Sequence, residues 1–188
     1  MTNKFLLLAF AFLVAFYISS NQKFAPSKQT KPYLTSIPTP THKPGEIFVA
    51  RVIDGDTIIL SNGQRVRYIG INTPELSDDR KKVECFAVDA LMANRSLIEW
   101  KVVRMEKDVS EVDKYGRLLR YVYIANPSYV ASKSGEMKEI FVNDYLVKYG
   151  FAQAATYPPD VKYHKIFLAS QKEAKSKELG LWKNCKKK

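Results

Sequence analysis

Two short polar segments of this chain carry side chains that could act together on a phosphodiester. Residues 54–56 read Asp-Gly-Asp between apolar stretches, and residues 67–75 supply an arginine, an amide, a threonine and a glutamate. A second arginine closes the motif Asp113-Lys-Tyr-Gly-Arg117. Carboxylates hold hard cations and activate water, while guanidiniums neutralise phosphate charge. These residue types predict metal-assisted phosphodiester cleavage, the chemistry of a nuclease.

Each motif taken alone has a simpler explanation. Asp-Gly is a favoured dipeptide of hairpin turns, so Asp54 and Asp56 could do no more than close a turn. Arg67 could lie on a strand with its charge in solvent, Glu75 could be an ordinary loop carboxylate, and residues 113–117 could form another turn. The predicted strand order, however, brings these segments towards one end of a barrel. Their combination therefore favours a single functional site.

The elements that would position these residues are strands interrupted by helices. Strand signals cover residues 47–53, 57–60, 65–71, 100–105 and 118–124, with hairpin turns at 54–56 and 62–63. Helical periodicity covers residues 84–99, 139–148 and 162–178, and residues 126–136 predict a loop. This order predicts an α+β fold that is mainly a β-barrel with helices, namely a five-stranded OB-fold barrel with three α-helices.

For two of these elements the sequence also predicts which side chains lie on the same face. The alternation in residues 65–71 places Arg67 on one face of its strand with Ile69 and Ile71. The inner face of the first helix is expected to comprise Phe86, Ala90, Ala93 and Leu97.

The amino-terminal 44 residues read as export and spacer segments. Lys4 precedes 14 apolar residues, 5–18, a helix of about 21 Å against a hydrocarbon core of about 30 Å. This length favours a signal peptide over residues 1–20, while an uncleaved membrane anchor stays open because no clean Ala-x-Ala precedes the cleavage point. Residues 21–44 contain five prolines and no acid, which predicts a semi-rigid spacer or a segment with no spacing role. Both a signal peptide and an anchor would place the domain outside the cytoplasm, as a secreted or a membrane-anchored protein.

Charge is concentrated at the ends of the chain. Five lysines and no acid in residues 1–45, with four lysines in the basic tail 183–188, account for nine of the eleven net positive charges. Bulk charge is therefore weak evidence for a nucleic-acid-binding face. The basic ends could tether the protein to a membrane or cell-wall polymer, or simply keep it in solution.

The two cysteines, Cys85 and Cys185, suit an oxidising compartment. A disulfide between them would close a loop of about 100 residues, worth up to ~4.7 kcal/mol in the chain-entropy model. Two unrelated thiols are the alternative. A zinc site is not expected, because neither cysteine has a nearby partner and the only histidines are His42 and His164.

The body of the chain resembles the thermonuclease family, also called staphylococcal nuclease-like, over about residues 45–182. The resemblance is carried by Ile53-Asp-Gly-Asp-Thr57, by Arg67 through Thr73-Pro-Glu75, by Asp113-Lys-Tyr-Gly-Arg117 and by Glu178-Leu-Gly-Leu-Trp182. It implies an OB-fold barrel, bound Ca²⁺ and hydrolysis of DNA and RNA phosphodiesters. No element looks built to read base edges, so we expect little sequence preference.

The resemblance also implies roles for single residues. Arg67 and Arg117 match the catalytic arginines of the family, and Glu75 matches the catalytic glutamate, as general base or as the group that orients water. Near the site, Tyr115 and Tyr157 are candidates for stacking on bases, with core packing as the competing explanation.

The metal site departs from the family pattern at one position. Asp56 matches a ligand carboxylate, Thr73 a ligand through its backbone carbonyl, and Asp54 an acid near the metal. Asn72 stands where the best-known members have a metal-binding aspartate. An amide oxygen can ligate Ca²⁺ but adds no negative charge, so weaker binding is expected unless Asp54 compensates.

Two other functions compete with the nuclease. One is a catalytically silent OB-fold module that binds nucleic acid or protein, which would be expected to lose the arginine–glutamate–arginine set that this chain keeps. The other is a surface-anchored adhesion or structural protein in which the barrel is a scaffold. A monomer is expected, since no heptad pattern argues against it.

Overall fold

The computed structural model describes residues 42–43, 45–76, 82–126 and 138–185. The predicted signal peptide or anchor, nearly all of the spacer, most of the predicted loop at 126–136 and the last three residues of the tail lie outside the described residues. All the described residues belong to one compact unit. No helix in the described part of the chain is long and apolar enough to cross a membrane.

The described residues form eight strands and four helices. The strands are β1 Val49–Val52, β2 Thr57–Leu60, β3 Arg65–Tyr68, β4 Ile71–Asn72, β5 Arg104–Glu106, β6 Leu118–Ala125, β7 Glu139–Phe141 and β8 Gln153–Ala154. The helices are α1 Ala87–Ile98, α2 Val142–Lys148, α3 His164–Ser176 and α4 Leu181–Asn184.

Six of the strands form the main sheet. They are ordered β1-β2-β3-β6-β5, and β7 pairs with the far part of β6, while β4 and β8 form a separate two-stranded sheet. The first two pairings are antiparallel, and β3 runs parallel to β6. The segment before β5 returns to β1, because the Trp100 amide donates to the Val49 carbonyl and Val102 forms a bridge with Phe48. The sheet thus curls towards closure, and the predicted α+β fold of the OB type is confirmed.

Buried apolar side chains from the sheet and the helices share one core. Strand β6 is buried from Tyr121 to Ile124, and Phe167 of α3 packs into the same cluster. Each fully buried side chain of this size contributes about 1.5–3 kcal/mol. Gly70, at φ 79°, lets the chain turn against this core, since a Cβ there would lie 2.3 Å from the Phe167 ring. The turn after β3 is therefore fixed by packing of α3.

Several element boundaries differ from the sequence prediction. Residues 139–141 pair with β6 as a strand, where helical periodicity had predicted the start of a helix, because Phe141 stacks on Tyr123 and Glu139 pairs with Arg104. The predicted strand over 100–105 is shorter and lies at 104–106, since Trp100 has a left-handed backbone at φ 64°. Both outcomes depend on contacts with distant strands.

The facing of two elements also differs. Strand β3 ends at Tyr68, so the alternation that grouped Arg67 with Ile69 and Ile71 stops before the Gly70 turn. Helix α1 starts after Phe86, which has φ 72°, and its buried face is shifted by about one residue from the predicted one. The buried residues of α1 are Ala87, Ala90, Asn94 and Ile98.

A disulfide joins Cys85, just before α1, to Cys185, just after α4, with an Sγ–Sγ distance of 2.03 Å. The bond spans 100 residues of sequence and ties the end of the domain to its middle. Closing so long a loop removes much entropy from the unfolded chain.

Candidate active site

The β1–β2 hairpin brings the first carboxylates into position. Its turn is closed by the Ile53 amide, which donates to the Thr57 carbonyl at 2.9 Å, and by Oδ1 of Asp54, which accepts from the Asp56 amide at 2.9 Å. A Cβ on Gly55 would lie 2.6 Å from the Thr73 side chain. Glycine is therefore needed at this position for the turn to approach Thr73, which directly follows β4.

Asp56 is a buried carboxylate with several partners. Its Oδ2 accepts from the Thr73 amide at 2.9 Å and lies 3.0 Å from Nη2 of Arg67, while its Oδ1 accepts from the Thr57 hydroxyl at 3.3 Å. Burial raises the pKa of Asp56 to about 6, against the opposing effect of Arg67 and with a smaller contribution from Asp54. Burying this charge is therefore unfavourable even with a guanidinium beside it.

Arg67 on β3 is held by its own surroundings. Its Nη1 donates to the carbonyl oxygens of Tyr68 at 2.8 Å and Ile71 at 3.0 Å. Its Nη2 donates to Oδ1 of Asn72 at 2.9 Å in addition to its contact with Asp56. Four of its five N–H donors are thus directed at protein oxygens. The Nε–H is the remaining donor.

Arg117 is fixed by the turn that precedes β6. Its Nε donates to Oδ2 of Asp113 at 2.7 Å, while Oδ1 of Asp113 accepts from the amides of Tyr115 and Arg117. Its Nη1 lies 3.5 Å from the Thr57 hydroxyl. Since that hydroxyl donates to Asp56, a continuous set of polar contacts connects Arg117 through Asp56 to Arg67.

An open pocket of about 570 Å³ lies beside the two arginines. Its lining includes Arg67, Asn72, Arg117, Tyr115 and Tyr157. The two tyrosines are 71% and 72% exposed, so neither ring packs in the core. The Arg117 guanidinium lies 5.5 Å from the centre of the Tyr115 ring, which places an aromatic face next to this cation.

Glu75 lies apart from this cluster. It is exposed, its amide donates to Oε2 of Glu84 at 2.9 Å, and its carbonyl accepts from the Glu84 amide at 3.0 Å. It does not line the pocket that holds both arginines. The structure therefore brings Asp56, Arg67 and Arg117 together and leaves the Glu75 carboxylate outside their contacts.

The oxygens of the predicted calcium ligands have protein partners in this structure. Among the described residues, no group of three or more His, Cys, Asp or Glu side chains could hold a metal ion. Calcium also accepts amide and carbonyl oxygens, however. Oδ1 of Asn72 and Oδ2 of Asp56 both face Nη2 of Arg67, and the Thr73 carbonyl accepts from Nδ2 of Asn72 at 3.3 Å.

The oxygens of Asp56 and Asn72 converge on one cation, the guanidinium of Arg67, and the Thr73 carbonyl lies beside the Asn72 amide. Asp56 also has a raised pKa that a second cation would lower. The donor set therefore fits a Ca²⁺ site with a low charge count, made of Asp56, Asn72 and the Thr73 carbonyl. Asp54 is less available, because its Oδ1 is used in the turn. Binding would require Arg67 and Asn72 to give up hydrogen bonds.

Sequence reasoning missed Asn94, which supports the site from behind. This fully buried residue of α1 donates from Nδ2 to the Asp54 carbonyl at 3.1 Å and accepts from the Tyr68 hydroxyl at 3.0 Å. It therefore links the carboxylate turn to the strand that carries Arg67. A polar residue on the buried face of a helix is the signal that could have identified Asn94. The predicted buried face contained Ala93 instead, because it was displaced by one residue.

Comparison with known proteins gave consistent results. A family model described as staphylococcal nuclease homologue matches residues 65–184. The chain is 39% identical over 137 residues to a thermonuclease of Staphylococcus intermedius, covering 71% of this chain and 74% of that protein. It is 35% identical over 139 residues to a thermonuclease of Staphylococcus hyicus, covering 72% and 75%. It is 36% identical over 137 residues to endonuclease YncB of Bacillus subtilis, covering 70% and 59%.

Proposed function

This chain belongs to the family of staphylococcal nuclease homologues, and from that membership we propose that it is a Ca²⁺-dependent nuclease that hydrolyses phosphodiester bonds of DNA and RNA. The observation that carries the proposal is the set of polar contacts from Arg117 through Asp56 to Arg67 at the edge of an open pocket. Two guanidiniums that line one pocket suit a phosphate in which negative charge increases during attack by water.

The proposed mechanism assigns separate tasks to the site residues. When bound, Ca²⁺ would polarise a phosphate oxygen and lower the pKa of a nearby water. Arg117 and the Nε–H of Arg67 donate to phosphate oxygens, most strongly in the transition state. When the oxygens of Asp56 and Asn72 turn towards a bound cation, Nη2 of Arg67 would lose these two partners and would also donate to the phosphate. Glu75 acts as general base or orients the water, a role supported by its match to the family motif.

Tyr115 and Tyr157 provide exposed rings on which bases stack, and stacking tolerates any base, which supports little sequence preference. The apolar run 5–18 and the disulfide support an exported protein, secreted or held at a membrane or cell wall through its N-terminal segment. We propose that it acts as a monomer.

The test of this function uses the full-length chain and plasmid DNA. We expect degradation with Ca²⁺ and none with EGTA, and loss of cleavage in Arg117→Ala. The matched control is Arg95→Ala, which removes an exposed arginine on α1 that pairs with Glu99. Binding without cleavage in Ca²⁺ would instead identify a silent nucleic-acid-binding module, and neither binding nor cleavage would point to a scaffold.

Asn72→Asp is expected to tighten Ca²⁺ binding by roughly tenfold or more, because it adds a negative charge to a site with few. Isothermal titration calorimetry with Ca²⁺ measures the change. Asn62→Asp is the control, since it adds the same charge to the exposed β2–β3 turn. Equal affinities of wild type and Asn72→Asp would mean that Asn72 is not a ligand.

A further inference from the structure

Two aspartates hold two separate chain segments against each other beside the pocket. Asp160 is 8% exposed, and its Oδ1 accepts from the amides of Val109 at 3.0 Å and Ser110 at 2.8 Å. In return, Oδ2 of Asp108 accepts from the Lys162 amide at 2.9 Å. Each segment therefore donates backbone amides to a carboxylate of the other. Residues 109 and 110 donate to Asp160, and Lys162 donates to Asp108.

Each of these segments leads to one tyrosine of the pocket. Residues 108–110 run into the turn 113–117, which carries Tyr115 and Arg117. On the other side, the Asp160 amide donates to the Tyr157 carbonyl at 3.0 Å and closes the turn that presents that ring. Asp160 itself also lines the pocket. The contacts of Asp160 thus connect the segments that carry Tyr115 and Tyr157 through the backbone.

The tyrosines need such support, because packing does not fix them. Both rings are more than two thirds exposed. A stacking surface binds a base well only if its position is set before binding, since ordering a loop on binding reduces affinity. Two backbone donors that converge on one buried oxygen are a strong constraint, as losing the acceptor leaves both donors without a protein partner.

We propose that Asp160 is a positioning residue that fixes the spacing of Tyr115 and Tyr157 and so sets the affinity for the substrate's bases. It acts through the amides of Val109 and Ser110, and it does not touch the reacting phosphate. What it supplies is a hydrogen-bond acceptor in a fixed place. The inference rests on the proposed nuclease function, because the ligand of the pocket is taken to be a nucleic acid.

The first test separates the acceptor from the charge. With a short single-stranded oligonucleotide and saturating Ca²⁺, Asp160→Ala is expected to raise KM about five- to tenfold, within the range for losing one stacked base, with kcat changed less than about twofold. Asp160→Asn, which keeps Oδ1, should restore a KM close to wild type. Asp89→Ala, an exposed aspartate on α1, is the control. An unchanged KM in Asp160→Ala, or an equal rise in Asp160→Asn, would overturn the proposal.

The second test asks whether Asp160 acts through the tyrosine. In a Tyr157→Ala background, Asp160→Ala should raise KM by less than about twofold, because one of the two rings whose spacing it sets is gone. Multiplication of the two single effects would show general loosening of the fold and would contradict positioning. If Asp160→Ala does not fold, Asp160→Glu, which keeps the charge but displaces the oxygen, replaces it under the same criteria.

Failure of the proposed function gives a different result. In that case wild type does not cleave, and the same variants are compared by fluorescence anisotropy with the labelled oligonucleotide. A weakened Kd in Asp160→Ala and a wild-type Kd in Asp160→Asn would support positioning in a binding module. Equal Kd values for all three proteins would overturn it.

Discussion

Arg67→Lys is expected to lower kcat by about 10²–10³-fold although the positive charge remains. Without a bound cation, Arg67 directs four donors at protein oxygens and keeps Nε–H for a phosphate, and with Ca²⁺ bound Nη1 still holds the backbone while Nη2 and Nε–H face the phosphate. Both arrangements depend on a planar guanidinium. A lysine ammonium has three donors on a flexible stem and cannot make these contacts together. Losing one preorganised donor to a developing oxyanion typically costs this much. Initial rates on DNA at saturating Ca²⁺ measure the effect.

The control for this prediction is a lysine at an arginine outside the site. Arg95→Lys keeps the exposed ion-pair position on α1 and should leave kcat within about twofold of wild type. Circular dichroism checks that both variants fold. A kcat near wild type in Arg67→Lys would show that the planar fork is not used in the transition state.

Local chemistry explains what the sequence predicted well. The turns at residues 54–56 and 62–63 depend on dipeptides with strong intrinsic preferences. Asp56 directly precedes β2 and Arg67 lies on β3, so the β2–β3 hairpin alone brings these two together. Asn72 follows a few residues later on β4, after the Gly70 turn. The placement of Arg117 close to Arg67 follows from the parallel pairing of β3 and β6, which aligns Arg67 with Leu119.

Long-range contacts explain what the sequence missed. Residues 139–141 have helical periodicity yet pair with β6, where aromatic stacking on Tyr123 is available. The role of Asn94 depends on where α1 starts, and that start is set by a left-handed Phe86. Asp160 contacts amides about 50 residues earlier in the chain, and a single sequence carries no local signal for such a contact.

Asp56→Asn is expected to stabilise the protein at pH 8 without Ca²⁺ by about 3 kcal/mol while removing Ca²⁺ binding. The pKa of Asp56 in the folded protein is raised to about 6 from an ordinary value of 3.8, and each unit corresponds to about 1.4 kcal/mol. The folded state therefore holds this proton more tightly than the unfolded state. The resulting stability is fully present below pH 4 and is lost as the pH rises through about 6.

Asparagine resembles the protonated acid at every pH, so the two proteins should differ in free energy of unfolding at pH 8 and converge near pH 4. Urea unfolding at both pH values with EGTA measures the difference, and Asp89→Asn on the exposed face of α1 is the control. Added Ca²⁺ should raise the stability of wild type alone, since only the folded site with a carboxylate binds it. A less stable Asp56→Asn at pH 8 would mean that the ion pair with Arg67 outweighs the unfavourable burial of the carboxylate. If Asp56→Asn is more stable than wild type at pH 8 and no longer binds Ca²⁺, Asp56 serves the reaction at the expense of stability.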